Sequence, residues 1–116
     1  MERSLRSATW LLFLFLALAA QLTAQAAGKP APGASIFKAK CTLCHGPDGS
    51  GNTALGKQMQ AANLRSKEVQ KLSDVEMRKI VHDGQANMPG FSDQLNSEEI
   101  GHVVRYIRAL VKTTKQ

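Results

Sequence analysis

Apolar residues are spaced along this chain in several distinct ways, each predicting a different element. From Ala8 to Ala20 they form one apolar run that includes Trp10, Phe13 and Phe15. From Ala34 a helical pattern sets in, with Ile36 and Phe37 apolar. It leads into Cys41 and Cys44 before Gly46-Pro47-Asp48-Gly49-Ser50-Gly51 stops it, so the cysteines are expected at the C-terminal end of a first helix. Ser73 and Glu76 form a capping box, Met77, Ile80 and Val81 follow as an apolar stripe, and Gly84 closes a helix of about ten residues. Asn96 and Glu99 repeat the capping logic ahead of Ile100, Val103, Val104, Ile107, Leu110 and Val111, which recur at steps of three and four. Residues 46–66 read as loop with one short helical stretch around Leu55 to Gln60, and residues 85–95, with Asn87-Met88-Pro89-Gly90, read as loop throughout. No window alternates like a strand and nothing repeats internally. The class is all-α, with three to four short helices.

The first apolar run has polar context on both sides. Glu2, Arg3 and Arg6 precede it and the small-residue site Ala24-Gln25-Ala26 follows, the order of a secretory signal peptide. The run is well short of the roughly 20 residues a bilayer-spanning helix needs. Residues 1–26 are therefore expected to be a cleaved signal peptide, with an uncleaved N-terminal anchor as the alternative and membrane contact only in that case. No cysteine follows the run, so lipidation there is excluded. Residues 27–33, Pro- and Gly-rich, are expected as a linker, 34–112 as the domain and 113–116 as a tail.

Charge narrows the partners. Removing Arg3, Arg6 and Glu2 from fifteen basic and nine acidic residues leaves a net +5. Nucleic acid is the usual partner of such a balance, but an exported chain rarely meets it and these lysines are scattered singly. Proteins with acidic docking surfaces fit better, and an ordinary solvated surface would carry the same excess. The domain, under 90 residues, can build only a thin core, and chains of that size usually need a covalent or metal staple. A disulfide between cysteines three positions apart closes too small a loop to remove much entropy from the unfolded chain.

Cys41-Thr42-Leu43-Cys44-His45 supplies another kind of staple: it is the C-x-x-C-H signature of covalent haem attachment. Two thiols about one helical turn apart can each add to one of haem's two vinyl groups. The next residue, rotated by a further ~100°, then aims its imidazole at the iron. Cys41, Cys44 and His45 are the candidate haem-binding residues, with His45 as an axial ligand. A redox C-x-x-C pair is expected where a strand meets a helix, and no strand pattern is present. A zinc site would need a fourth ligand, and His82 or His102 matches no common spacing. A bare disulfide leaves His45 and the glycines after it unexplained.

An iron that only exchanges electrons needs a second axial ligand, and Met59, Met77, Met88, His82 and His102 are the candidates. Met77 falls on the apolar stripe of its helix, and His82 and His102 read as surface or helix-end residues. Met88 stands before a proline, which biases it towards extended backbone, and two positions before Gly90, which clears space; its thioether is the preferred ligand. Met59 and an open or exchangeable sixth position remain as alternatives.

Together these residues resemble a class I cytochrome c of the small bacterial monohaem kind, over roughly residues 33–111. The likeness rests on Gly33 and Phe37, the Cys41-to-Gly46 motif, the Asp48-Gly49-Ser50-Gly51 turn, Met88-Pro89 about 40 residues after the motif, and Tyr106-Ile107-Arg108-Ala109-Leu110. It implies a cytochrome c-like fold wrapped around one haem c with its iron. It implies also that the first and last helices cross, Gly33 permitting close approach and Phe37 packing near Tyr106. Many relatives place a proline where this chain has Ala62 before Asn63-Leu64, and a backbone carbonyl there accepts the axial histidine's Nδ1 proton; which group serves His45 here is open. The function implied is a periplasmic one-electron carrier between respiratory complexes or dehydrogenases, with no small-molecule substrate. Lys38, Lys40 and Lys57 are candidates for steering the partner. The alternatives are a membrane-tethered or subunit cytochrome dedicated to one enzyme, and a haem sensor or enzyme with an open sixth site.

Overall fold

The structure is a computed structural model that describes residues 31–112; the expected signal peptide, most of the linker and the tail lie outside the described residues. The described chain is mostly helical: α1 Pro32–Lys40, α2 Thr42–His45, α3 Ala54–Met59, α4 Lys67–Lys71, α5 Asp74–Asp83 and α6 Ser97–Leu110, with a two-stranded antiparallel hairpin of β1 Gly84–Gln85 and β2 Met88–Pro89. The all-α class holds.

Three details differ from the sequence expectations. There are six helical segments among the described residues, not three to four, because α2 and α4 are single turns too short to show periodicity. The helix expected from Ala34 begins at Pro32, whose fixed φ and missing N–H suit a first helical turn, so the Pro-Gly pair assigned to the linker belongs to the domain. The loop expected over 85–95 opens with a miniature β-ladder, pairing Gly84 with Pro89 and Gln85 with Met88. Two-residue strands leave no alternation to detect.

The two long capped helices are where the sequence placed them. In α5 the Ser73 hydroxyl accepts from the Glu76 amide while the Glu76 carboxylate accepts from the Ser73 amide, and in α6 Asn96 and Glu99 do the same. Helix α6 buries Ile100, Val103, Val104, Ile107 and Leu110 along one stripe; α5 buries Met77 and Val81 one turn apart.

Helix α1 crosses α6. Phe37 is 1 % exposed and packs on Tyr106, ring centroids 5.0 Å apart. The crossing depends on Gly33, where a Cβ would lie 2.1 Å from the His102 carbonyl oxygen and 2.7 Å from its carbon. Backbone cannot swing aside as a side-chain tip can. Gly33→Ala is therefore expected to part the two helices at a cost of about 2–3 kcal/mol. For a domain of this size that lowers the melting temperature of the haem-loaded protein by roughly 10–20 °C, and an unchanged melt would refute the close-approach argument.

The core is split. Phe37, Leu64, Met77, Val103, Val104, Ile107 and Leu110 form one cluster, with Cys41 packed against it. Val81, Leu95 and Ile100 form a second, with Met88 and Phe91 packed against it.

Candidate haem site

The attachment motif is held in a break between helices. Helix α1 ends at Lys40 with Cys41 as its C-cap, as expected, but Cys41 is also the N-cap of the single turn α2, in which Cys44 lies. Thr42 Oγ1 donates to the Lys38 carbonyl at 2.8 Å and the Cys41 amide to the Phe37 carbonyl at 2.9 Å, which fix the angle between the two helices.

Helix α3 braces the motif from outside. Thr53, its N-cap, accepts from the Gly56 amide and donates to the Leu43 carbonyl, both at 2.8 Å. Gly56 lies so close that a Cβ there would come within 2.2 Å of the Cys44 carbonyl oxygen. Thr53→Val removes both the cap and the tie, an expected loss of about 1 kcal/mol, or ~5 °C in the melt of the haem-loaded protein; no shift would mean that water replaces the hydroxyl without cost.

His45 is 8 % exposed, the one buried polar or charged side chain among the described residues. Its Nδ1 lies 2.9 Å from the Ala62 carbonyl oxygen. A carbonyl can only accept, so Nδ1 is the donor in this bond, and in the neutral imidazole that leaves the lone pair on Nε2. Loop 46–64 places that carbonyl: the Gly51 amide donates to the His45 carbonyl at 2.7 Å, and the Leu64 amide to the Gly49 carbonyl at 2.7 Å. Asp48 tightens the turn by accepting from the Ser50 amide at 3.0 Å and the Ser50 hydroxyl at 2.8 Å; these bonds hold its carboxyl below the usual range. The group that serves His45 is thus a backbone oxygen at Ala62, with no proline ring.

Between the two clusters lies a cavity of about 420 Å³, walled mainly by apolar side chains. It lies within the ~300–1,000 Å³ range of cofactor and ligand sites. Cys41, Cys44, His45, Met59, Met77 and Met88 all reach it. His82 and His102 do not. His82 is exposed, its Nδ1 2.5 Å from Asp83, and His102 Nδ1 accepts from Arg105 at 2.6 Å.

Of the three methionines, Met77 belongs to the cluster that Cys41 packs on, and Met59 ends α3, which packs on the motif helix. Met88 comes from the other wall, packed with Val81, Leu95 and Ile100. No disulfide joins Cys41 to Cys44, and burial pushes the Cys41 thiol up to about 11. A redox-active C-x-x-C pair needs a lowered thiol pKa, so this environment speaks against that reading. Among the described residues no three His, Cys, Asp or Glu side chains converge as a zinc site would require.

An apolar slot lined by two thiols, an imidazole and a thioether that packs against the second cluster fits a covalently attached haem. The comparisons agree. The family described as cytochrome C oxidase, cbb3-type, subunit III matches residues 28–107. The chain belongs to the class I c-type cytochromes. It is similar to a cytochrome c6 of Rippkaea orientalis, 35 % identical over 108 residues that span 92 % of this chain and 93 % of that one. Among solved structures it resembles the KustC0563 c-type cytochrome, 30 % identical, with a TM-score of 0.62 over 67 % of this chain and 95 % of that one. This cytochrome carries one covalently bound haem c with its iron and transfers electrons with redox protein partners.

Sequence reasoning missed two hydrogen bonds made by residues that line the cavity. Asn87 Nδ2 donates to the Met59 carbonyl at 3.2 Å, and Lys40 Nζ to Gln94 Oε1 at 2.9 Å. These pairs lie 28 and 54 positions apart, and no local pattern signals them.

Proposed function

We propose that this cytochrome is an exported, periplasmic one-electron carrier working between respiratory complexes or dehydrogenases. In it Cys41 and Cys44 would hold haem through two thioether bonds, and His45 and Met88 would supply the iron with a nitrogen and a sulfur ligand. Residues 1–26 are the signal that directs export, residues 34–112 with Pro32 and Gly33 the working domain, and 113–116 its tail. When bound, the haem supplies an iron that changes by one electron. The observation that supports the reading is that Cys41, Cys44, His45 and Met88 all line one apolar cavity, Met88 packing against a different cluster from Cys41.

The chain's own residues set how that iron behaves. The Ala62 carbonyl fixes the tautomer of His45, leaves Nε2 as the donor and raises its basicity. A thioether opposite it favours the ferrous state and so a positive potential. With His45 and Met88 both committed to the iron, no position would be left for a substrate, and the same two side chains would serve both oxidation states, so little reorganisation would oppose electron transfer.

Redox titration of the purified protein is expected to show one reversible one-electron step, with a reduced form that does not bind carbon monoxide. Ready carbon monoxide binding would overturn the carrier reading in favour of a sensor or enzyme.

Lys38, Lys40 and Lys57 are exposed near the motif and are proposed to steer an acidic partner. Electron-transfer rates with an acidic partner protein are expected to fall as ionic strength rises from about 0.01 M to 0.15 M, where the screening length shrinks from ~30 Å to ~8 Å. A rate independent of salt would leave these lysines without that role.

A further inference from the structure

The hairpin that carries Met88 is anchored differently at its two ends. At its base, the Phe91 amide donates to the Val81 and His82 carbonyls at 3.0 and 3.1 Å, and the Ser92 amide to His82 at 3.2 Å, so that end is fastened to its own helix. At its tip stand Ala86 and Asn87, and the bond found between the tip and the facing wall is Asn87 Nδ2 to the Met59 carbonyl, 3.2 Å.

That contact joins two unusual pieces of backbone. Ala86 has φ +51 and Gln60, just past the end of α3, has φ +55; among the described residues these are the two non-glycine positions with positive φ. An alanine in that region is strained and stays there only where its surroundings hold it. Met59 is the last residue of α3, where a helix leaves carbonyls without partners. The Gln60 amide turns back to the Gly56 and Lys57 carbonyls, and the Met59 carbonyl accepts from Asn87 Nδ2.

We propose that Asn87 is the positioning residue for Met88: its amide clasps the hairpin tip to α3 across the cavity rim and so sets how often the thioether leaves the iron. This rests on Met88 being the sixth ligand. Asn87 does not touch the iron and acts only through its neighbour. Met88 pairs with Gln85 across the ladder, so a tip that swings out carries Met88 with it. One exposed hydrogen bond is a small lever, appropriate for tuning the open fraction without abolishing ligation.

The test is imidazole titration of the ferric holoprotein, because apparent affinity for an outside ligand scales with the fraction of molecules whose sixth position is open. Asn87→Ala and Asn87→Asp, the latter isosteric but acceptor-only when ionised, are expected to bind imidazole roughly five- to tenfold more tightly than the parent, the factor that one net hydrogen bond commands. Ser73→Ala, which removes a helix cap away from the rim at a similar cost in melting temperature, is expected to leave imidazole affinity unchanged. Affinity unchanged in Asn87→Ala, raised equally in Ser73→Ala, or retained at parent level in Asn87→Asp would each overturn the clasp. Met88→Ala separates the two readings. If the parent already binds imidazole as tightly as Met88→Ala does, it is Met88 ligation that has failed.

Discussion

Replacing Cys41 and Cys44 together by serine is expected to yield a chain without haem that has lost more than half of its far-UV helical signal and shows no cooperative thermal transition. Magnitudes decide this. At about 24 cal/mol per Å³, an empty apolar cavity of 420 Å³ costs on the order of 10 kcal/mol, as much as the whole ~5–15 kcal/mol stability of an ordinary domain. The protein groups around it cannot close the gap by sliding together, because two rigid helices span both clusters: α5 carries Met77 of one and Val81 of the other, and α6 carries Val103 and Ile107 of one and Ile100 of the other. A double variant with full helix content and a sharp melt would show that the core is sufficient without its prosthetic group.

Met88→Ala is expected to leave the fold in place and change the iron. The ferric protein should lose the charge-transfer band of sulfur ligation, and the reduced protein should bind carbon monoxide. The midpoint potential should fall on the order of 0.1–0.3 V, part of the ~0.8 V range through which axial ligands tune haem iron. The size follows from losing the soft donor that favours ferrous iron while the His45 side is untouched. Met77 and Met59 reach the same cavity, so their alanine variants are the fitting controls. A band that survives Met88→Ala and disappears in Met59→Ala would move the sixth ligand to α3.

What the sequence discloses depends on the range over which each determinant acts. The capping boxes at Ser73 and Asn96, the stripe of α6 and the attachment motif are all written within a few adjacent positions, and each was readable without coordinates. The α1–α6 crossing was readable only through resemblance, since nothing local ties Gly33 to His102. Helix α4 escaped because five residues with Val69 as their lone apolar member show no period, although Ser66 caps it through the Val69 amide. The start of α1 was misplaced because Pro32 was read as a breaker when at a first turn it is a starter. Asn87 was legible as a loop residue, but its partner was fixed by the left-handed turn after α3, which a glutamine at position 60 does not advertise.

The bond from His45 to Ala62 ends on the main chain. A point mutation can delete a side-chain acceptor but cannot remove a peptide oxygen, so neighbouring positions are free to drift while the imidazole keeps its tether. The imidazole's electronic character is in this respect inherited through the path of the loop, and proteins with dissimilar residues at that place can share it without sharing any letter.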